Sequence, residues 1–392
     1  MSGTHPTPPG PLLVLLLATC CGAIVANLYY AQPIIGLIAP DLGLSGPQAS
    51  LIVSLTQMGY ALGLFFLVPL ADLLENRRLI LITTGLASFS LLATGLSSQP
   101  GSFLLLCTLA GLSTVPVQVL IPLAAHLAPE ARRGQVVGNV MSGLLLGILL
   151  SRPLSSLVAD HLGWRAVFGV AAGLNLAMLA LMFRYLPRHQ PGHRASYGQL
   201  LQSLILLFFR QPLLRQRALY QSLMFACFIL FWTVTPLELA GRYQLSQSQI
   251  ALFALIGALG AVAAPLGGRW ADAGHTRTVT VVALLLGSAS FLPNLLWPEL
   301  GVTGLVLTGI LLDFAVQLNM VVGQRTIYAL DPASRGRLNA LYMTVIFCGG
   351  ALGSALAGGL YSHGGWPLVA LLCFGLPLVG LGVFGINAAR RA

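Results

Sequence analysis

Apolar residues run almost unbroken for about 20 positions at a time, and short polar clusters separate the runs. A helix of roughly 20 residues spans about 30 Å of hydrocarbon, so each run reads as a membrane-crossing helix. The pattern predicts twelve, over residues 12–38, 48–71, 79–97, 101–127, 134–158, 163–186, 216–240, 247–270, 277–296, 301–328, 336–361 and 366–387. The breaks carry turn chemistry and charge, as in Asp41 to Pro47, Glu75 to Arg78 and Pro129 to Gly134. Between the sixth and seventh runs the apolar residues of Tyr197 to Phe209 recur at near-helical spacing, which predicts a helix along the membrane surface. The expected layout is a tail over 1–11, a six-helix bundle over 12–186, a linker over 187–215, a second bundle over 216–387 and a tail over 388–392.

The two sets of six runs share residues in register. Arg133-Gly134, Met141, Gly147, His161 and Gly163-Trp164 recur 202 positions later as Arg335-Gly336, Met343, Gly349, His363 and Gly365-Trp366. Asp72 has a partner in Asp272 and Pro33 one in Pro236. A repeat this long in so apolar a chain points to a two-half transporter with its site where the halves meet, not to a short-period solenoid. The expected fold class is therefore all-α, with two pseudo-symmetric six-helix bundles.

Composition agrees: 56% of residues are hydrophobic, 8% are charged and mean hydropathy is +0.85, far from a water-soluble surface. A net charge of +10 would point to nucleic acid in a soluble protein, but here the charges sit in short loops between apolar runs. All 20 basic residues are Arg, and with the N-terminus inside, 17 fall in cytoplasmic segments while only Arg165 and Arg242 fall in outer loops. Basic residues are retained on the cytoplasmic face during insertion, so both termini are expected in the cytoplasm of a bacterial inner-membrane protein. The six cysteines all lie within apolar runs without ligand spacing, so no disulfide or metal framework is expected. The first run is too long for a signal peptide and reads as a retained helix.

Charge inside a bilayer costs about 2.5–3.5 kcal/mol per central residue, which makes intramembrane ionisable residues functional candidates. Arg152 lies about 27 Å along the fifth helix from Gly134, and Asp313 falls near the middle of the tenth. The two depths are compatible. The expectation is that both face the space between the halves, Arg152 holding Asp313 ionised in one state and releasing it to take a proton in another. Arg152 has other outlets, in Ser155, Ser156, Asp160 or solvent. A substrate cavity is expected to draw on Asn27, Tyr30, Gln57, Gln118, Gln317 and Asn319, with Gln32, Ser54, Tyr60, Gln324, Asn339 and Tyr342 as further polar candidates and Trp232 and Phe231 as an aromatic wall. A few hydrogen-bonding groups among apolar ones suit a small amphipathic ligand, although interhelical bonding uses the same amides.

The loop Val68-Pro-Leu-Ala-Asp72-Leu-Leu-Glu-Asn-Arg77-Arg78 is similar to the G-x-x-x-D-R-x-G-R-R signature of the major facilitator superfamily, with Val68 for the first Gly and Leu73 after the Asp. Gly268-Arg-Trp-Ala-Asp272-Ala-Gly-His-Thr-Arg277 repeats it in the second half. Over nearly its whole length the chain resembles that superfamily. The resemblance implies a cytoplasmic gate of Asp72, Arg77, Arg78, Asp272, Arg277, Arg133 and Arg335, with Asp72 capping the eleventh helix near Arg335 and Asp272 the fifth near Arg133. An acidic side chain there accepts from exposed N–H groups at the positive end of a helix dipole. The fifth helix, Gly143-x-x-x-Gly147 through Ser151-Arg152-Pro153 to Ser156, resembles in part the Gly- and Pro-rich motif of the efflux branches, whereas Cys107 stands where proton-coupled drug exporters carry a buried Arg in the fourth.

No H-E-x-x-H, G-x-S-x-G or phosphate loop occurs, so neither a hydrolase nor an ATP-driven pump is expected. The reading is a secondary transporter, not an enzyme, exporting small drug-like or metabolite molecules. It would need no cofactor beyond the proton gradient and work as a monomer by alternating access. The alternative is a proton-linked importer of a small organic anion bound by Arg152.

Overall fold

Two glycines at equivalent places in the repeat turn the chain between neighbouring spans. Gly163 (φ 82°) separates the fifth span, Arg133–Leu162, from the sixth, Trp164–Tyr185. Gly365 (φ 59°), 202 residues on, breaks the 55-residue helix Arg335–Ala389 into the eleventh and twelfth spans. L-residues avoid positive φ, so a glycine in both copies keeps the same tight turn. The computed structural model of the protein describes residues 10–191, 196–257, 263–331 and 334–389. The predicted tails fall largely outside that set, in residues 1–9 and 390–392.

Among the described residues the remaining spans are Pro11–Asp41, Gly46–Phe66, Asn76–Leu96, Pro100–Leu127, Pro212–Gly241, Thr276–Leu296 and Gly301–Tyr328. The eighth is described in two pieces, Gln247–Ala254 and Ala263–Asp272. The protein is all-α and apolar, in agreement with the periodicity. Among the described residues three spans predicted as continuous are interrupted, the ninth of them at Ser290 and Phe291, between Thr276–Ala289 and Leu292–Leu296. In the first, helix Pro11–Val25 gives way to short 3-10 turns at Ala26–Leu28 and Gln32–Ile34 before Ile35–Asp41. In the fourth, Pro100–Ser113 and Pro116–Leu127 are separated at Thr114 and Val115. Pro33 and Pro116 lack an N–H and clash with the preceding turn, which explains the breaks in the first and fourth. The seventh span begins at Pro212, inside the predicted linker.

Lipid is as apolar as leucine, so spans associate through close backbone packing at small residues. The first span meets the fifth at Gly22, where an added Cβ would lie 2.5 Å from the Gly143 carbonyl oxygen, and at Gly143 and Gly147, which press on Ala18 and Gly22. In the second half Gly349 and Gly353 press on Ser222 and Ala226 of the seventh span. Gly147 and Gly349 are repeat partners, so one crossing is built twice. The second and eleventh spans close the seam between the halves on the face away from the arginines. There Ser54 Oγ donates to the Ala351 carbonyl (2.8 Å), Ser354 Oγ to the Ser50 carbonyl (3.0 Å), and Gly358 abuts the Gly46 backbone.

The linker forms the predicted helix, Tyr197–Arg210, started by a reciprocal capping box between Ser196 and Gln199. It buries Leu200 and Leu204 and leaves Ile205, Leu206 and Phe209 exposed. Tyr197 Oη donates to the Phe66 carbonyl at the end of the second span (2.8 Å), and Arg337 of the eleventh donates to Ser203 (3.2 Å), so the linker touches both halves.

Candidate functional site

The broken first span sets the geometry. Its short turns bring Tyr29 and Gln32 against the fifth and seventh spans, and Ser155 Oγ ties the turn down by donating to the Tyr30 carbonyl (2.5 Å). Arg152 enters this corner from the fifth span and is 4% exposed. Its Nε donates to Gln32 Oε1 (3.0 Å), while Gln32 Nε2 reaches the Ile229 carbonyl and Thr233 Oγ1 of the seventh span, each at 3.5 Å. One amide thus couples the buried cation to the other half.

Three rings enclose the guanidinium, with Cζ 4.6 Å from the ring centroid of Trp232, 4.9 Å from Tyr29 and 5.2 Å from Phe228. Aromatic faces are negative, so they lower the cost of a desolvated cation without neutralising it. Nη2 is buried and has no hydrogen-bond partner. A buried donor of this kind calls for an acceptor.

Asp313 of the tenth span, 6% exposed, lies at the edge of the same indole. Trp232 Nε1 donates to its Oδ1 (3.0 Å), and its Oδ2 faces Gly257, where an added Cβ would come within 2.7 Å. Arg152 and Asp313 make no ion pair in the structure. Trp232 stands between them, with its face toward Arg152 and its edge toward Asp313. The other outlets considered for Arg152 are taken or unused: Ser155 bonds Tyr30, Asp160 accepts from Ser248 of the eighth span, and Ser156 Oγ has no partner.

The remaining cavity candidates divide. Gln57 is fully buried with both amide atoms unpartnered. Gln118 donates to Tyr60 Oη (3.1 Å) and accepts from Asn339 Nδ2 (3.2 Å), and Asn339 Oδ1 in turn accepts from Tyr328 Oη (2.9 Å) and Gln324 (3.4 Å). This chain crosses from the fourth span to the eleventh. Gln317 is partly exposed on the tenth span and Tyr30 is buried in the first. Two candidates bond inside their own half. Asn27 forms a reciprocal amide pair with Asn175 of the sixth span (3.0 and 3.2 Å), and Asn319 donates to Gln221 of the seventh (2.7 Å). The Asn27 amide and the Asn319 donor are used in packing within their own half, while Asn319 Oδ1 is buried without a hydrogen-bond partner. Phe231 also turns away, toward Phe291 and Trp366, and the ring over Arg152 is Phe228, one turn before Trp232. The i, i+4 spacing of Phe228 and Trp232 was a signal available in the sequence; no local pattern marked Tyr29 or Gly257.

At the arginine-rich face the expected gate is differently arranged. Arg133 donates to the Ala125 carbonyl (3.1 Å) and Arg335 to the Tyr328 carbonyl (3.2 Å), so each caps the end of the span before it, within its own half. Arg77 donates to the Phe183 carbonyl of the sixth span, and Arg78 lines a groove beside it, so neither bridges the halves as a gate would require. The start of the third span turns both outward. Asp72 is half-buried at the end of the 3-10 turn Val68–Asp72, Arg277 is exposed, and the side chain of Asp272 lies outside the described residues.

The Major Facilitator Superfamily family model matches residues 15–293 and 219–391. The uncharacterized transporter YgaY of Escherichia coli O157:H7 is 42% identical over 95% of this chain and 94% of its own length. The probable transporter SCO4007 of Streptomyces coelicolor is 32% identical over 99% and 91%. Among solved structures, a bacterial homolog of the human lysosomal transporter Spinster, inward-facing and occupied, superposes with a TM-score of 0.75 at 14% identity, covering 98% of both chains.

Proposed function

Because the chain belongs to the Major Facilitator Superfamily, whose members here are transporters, we propose that it is a proton-driven exporter of small drug-like or metabolite molecules. The observation that carries this reading is Trp232 held between Asp313 and Arg152. As a carboxylate, Asp313 accepts the indole N–H and fixes the ring over the guanidinium. A proton taken on Asp313 Oδ2 removes the charge that holds that bond, and the indole is freed to shift off Arg152. Arg152 bonds Gln32, and Gln32 reaches the seventh span, so the shift loosens a contact between the halves. Rocking of the halves then exchanges access between the two sides. The orientation with both termini in the cytoplasm of a bacterial inner membrane follows from the arginine distribution.

The unpartnered Nη2 of Arg152 favours a second reading, in which a small organic anion docks on the guanidinium and is imported with a proton. A thermal-shift screen of amphipathic cations, neutral compounds and monocarboxylates on the purified chain selects the probe. Proteoliposomes with an imposed pH gradient then test the coupling. Asp313→Asn should lose at least about tenfold in proton-driven flux, some 1.4 kcal/mol in rate terms, while retaining substrate exchange. Undiminished driven flux would remove Asp313 from the mechanism. Accumulation by cells should fall when the protein is active if it exports, and rise if it imports, with a protonophore cancelling either.

A further inference from the structure

Between the third and sixth spans, at the arginine-rich face, a groove of about 750 Å³ opens on the outside of the bundle, far from Arg152 and Asp313. Its mouth is lined by Arg77, Arg78 and Arg188, and its wall by apolar side chains that include Ile82, Leu176 and Phe183. The cations are held in different ways. Arg77 donates to the Phe183 carbonyl and stacks on that ring, 5.5 Å from its centroid. Arg188, from the start of the linker, keeps only a long 3.7 Å contact with Glu75 and is otherwise exposed. Arg78 is exposed and has no polar partner among the described residues. Three positive charges against one carboxylate leave the mouth cationic.

The apolar wall begins where the charges end. Ile82 lies about 6–8 Å deeper along the third span than Arg77 and Arg78. Ile82, Leu176 and Phe183 are 59%, 49% and 66% exposed, and in a membrane that exposure is to lipid tails. A cationic mouth at the hydrocarbon boundary above an open apolar wall matches a molecule with an anionic head and two acyl chains. Snorkelling alone would send each arginine separately to the interface. Here three converge on one groove from the third span and the linker. The linker is pinned beside it, since Asn76 N–H donates to the His189 carbonyl (3.0 Å).

We propose that this groove binds an anionic phospholipid, its phosphodiester held by Arg78 and Arg188 with Arg77 behind them and one acyl chain lying along Ile82, Leu176 and Phe183. The bound lipid would join the third span, the sixth span and the beginning of the linker at the arginine-rich face.

The test uses the purified full chain in dodecyl maltoside, with dioleoyl phosphatidylglycerol or dioleoyl phosphatidylcholine at equal concentration, read by native mass spectrometry and by thermal shift. The wild type should retain phosphatidylglycerol at least about fivefold over phosphatidylcholine, and only the former should raise the melting temperature. The double variant Arg78→Ala/Arg188→Ala should bring the two lipids near parity. The control Arg210→Ala/Arg215→Ala, which removes two charges elsewhere on the same face, should not. Ile82→Trp, which fills the wall and keeps every charge, should also lower phosphatidylglycerol retention, whereas inorganic phosphate should neither bind nor stabilise. Parity of the lipids in the wild type, equal losses in the groove and control variants, full retention in Ile82→Trp, or stabilisation by inorganic phosphate alone would each overturn the proposal.

Discussion

Arg152 and Ser354 stand at equivalent positions of the repeat, 202 residues apart, and each is buried in a seam between the halves. Around them the backbone scaffold is alike, because Gly147 and Gly349 make the same close crossing in each copy. The chemistry is opposite. Ser354 belongs to a seam of small residues, where hydroxyls of Ser54 and Ser354 bond carbonyls across the interface and Gly358 lets backbones touch. Arg152 belongs to a seam of rings and amides, with a cation parted from its counterion Asp313 by an indole and a donor without an acceptor. The Ser354 seam satisfies its own polar groups and serves as a joint. The Arg152 seam leaves polar groups to be satisfied by something else, which is what a binding and switching site requires.

The sharpest way to break that contrast is to transplant the charge. Ser354→Arg would bury a cation against the Ser50 carbonyl with no aromatic faces around it. It should cost about 3 kcal/mol or more and be seen as loss of monodisperse protein in detergent. The reverse exchange, Arg152→Ser, should leave the melting temperature unchanged or raised, since it removes a buried charge that makes no direct ion pair. Driven flux should fall at least about tenfold in the same sample. Wild-type flux in Arg152→Ser would reduce the seam to packing. Gly257→Ala sharpens the picture from the other side of Trp232, because its methyl group would press on Asp313 Oδ2. A roughly threefold to tenfold loss of driven flux with substrate exchange intact is expected, a cost of about 0.7–1.4 kcal/mol. The smallest effect belongs to the joint. Ser54→Ala removes one interhelical hydrogen bond and should lower stability by about 0.6 kcal/mol, with flux unchanged.

How far a sequence pattern reaches depends on whether its cause is local. The apolar runs, the glycines at 163 and 365 and the linker helix were legible because hydrophobic length, positive φ and helical spacing each act within one segment. The break at Ala26–Ile34 was not located, although Pro33 announced a local disturbance. Arg152 and Asp313 stood out by their cost in a bilayer, but Trp232 as the piece between them did not, since a tryptophan in an apolar helix is ordinary. The amides were least legible. Asn27 and Asn319 look like Gln57 and Gln118 in one dimension, yet two bond within their own half, one crosses to the other and one is left unpartnered.

Sequence alone determined that this chain inhabits a membrane, that it is two copies of one design and that two charges inside it need a reason. Those follow from solvent chemistry and repetition, which need no knowledge of what touches what. Only the tertiary structure decided which rings and amides of the two copies complete the site, that an indole parts its two charges, and that the arginines beside the third span line a groove against the sixth instead of meeting the opposite half. Each of these depends on side-chain direction across helices distant in sequence, where small differences in rotation exchange a partner, a cavity or the bilayer for one another.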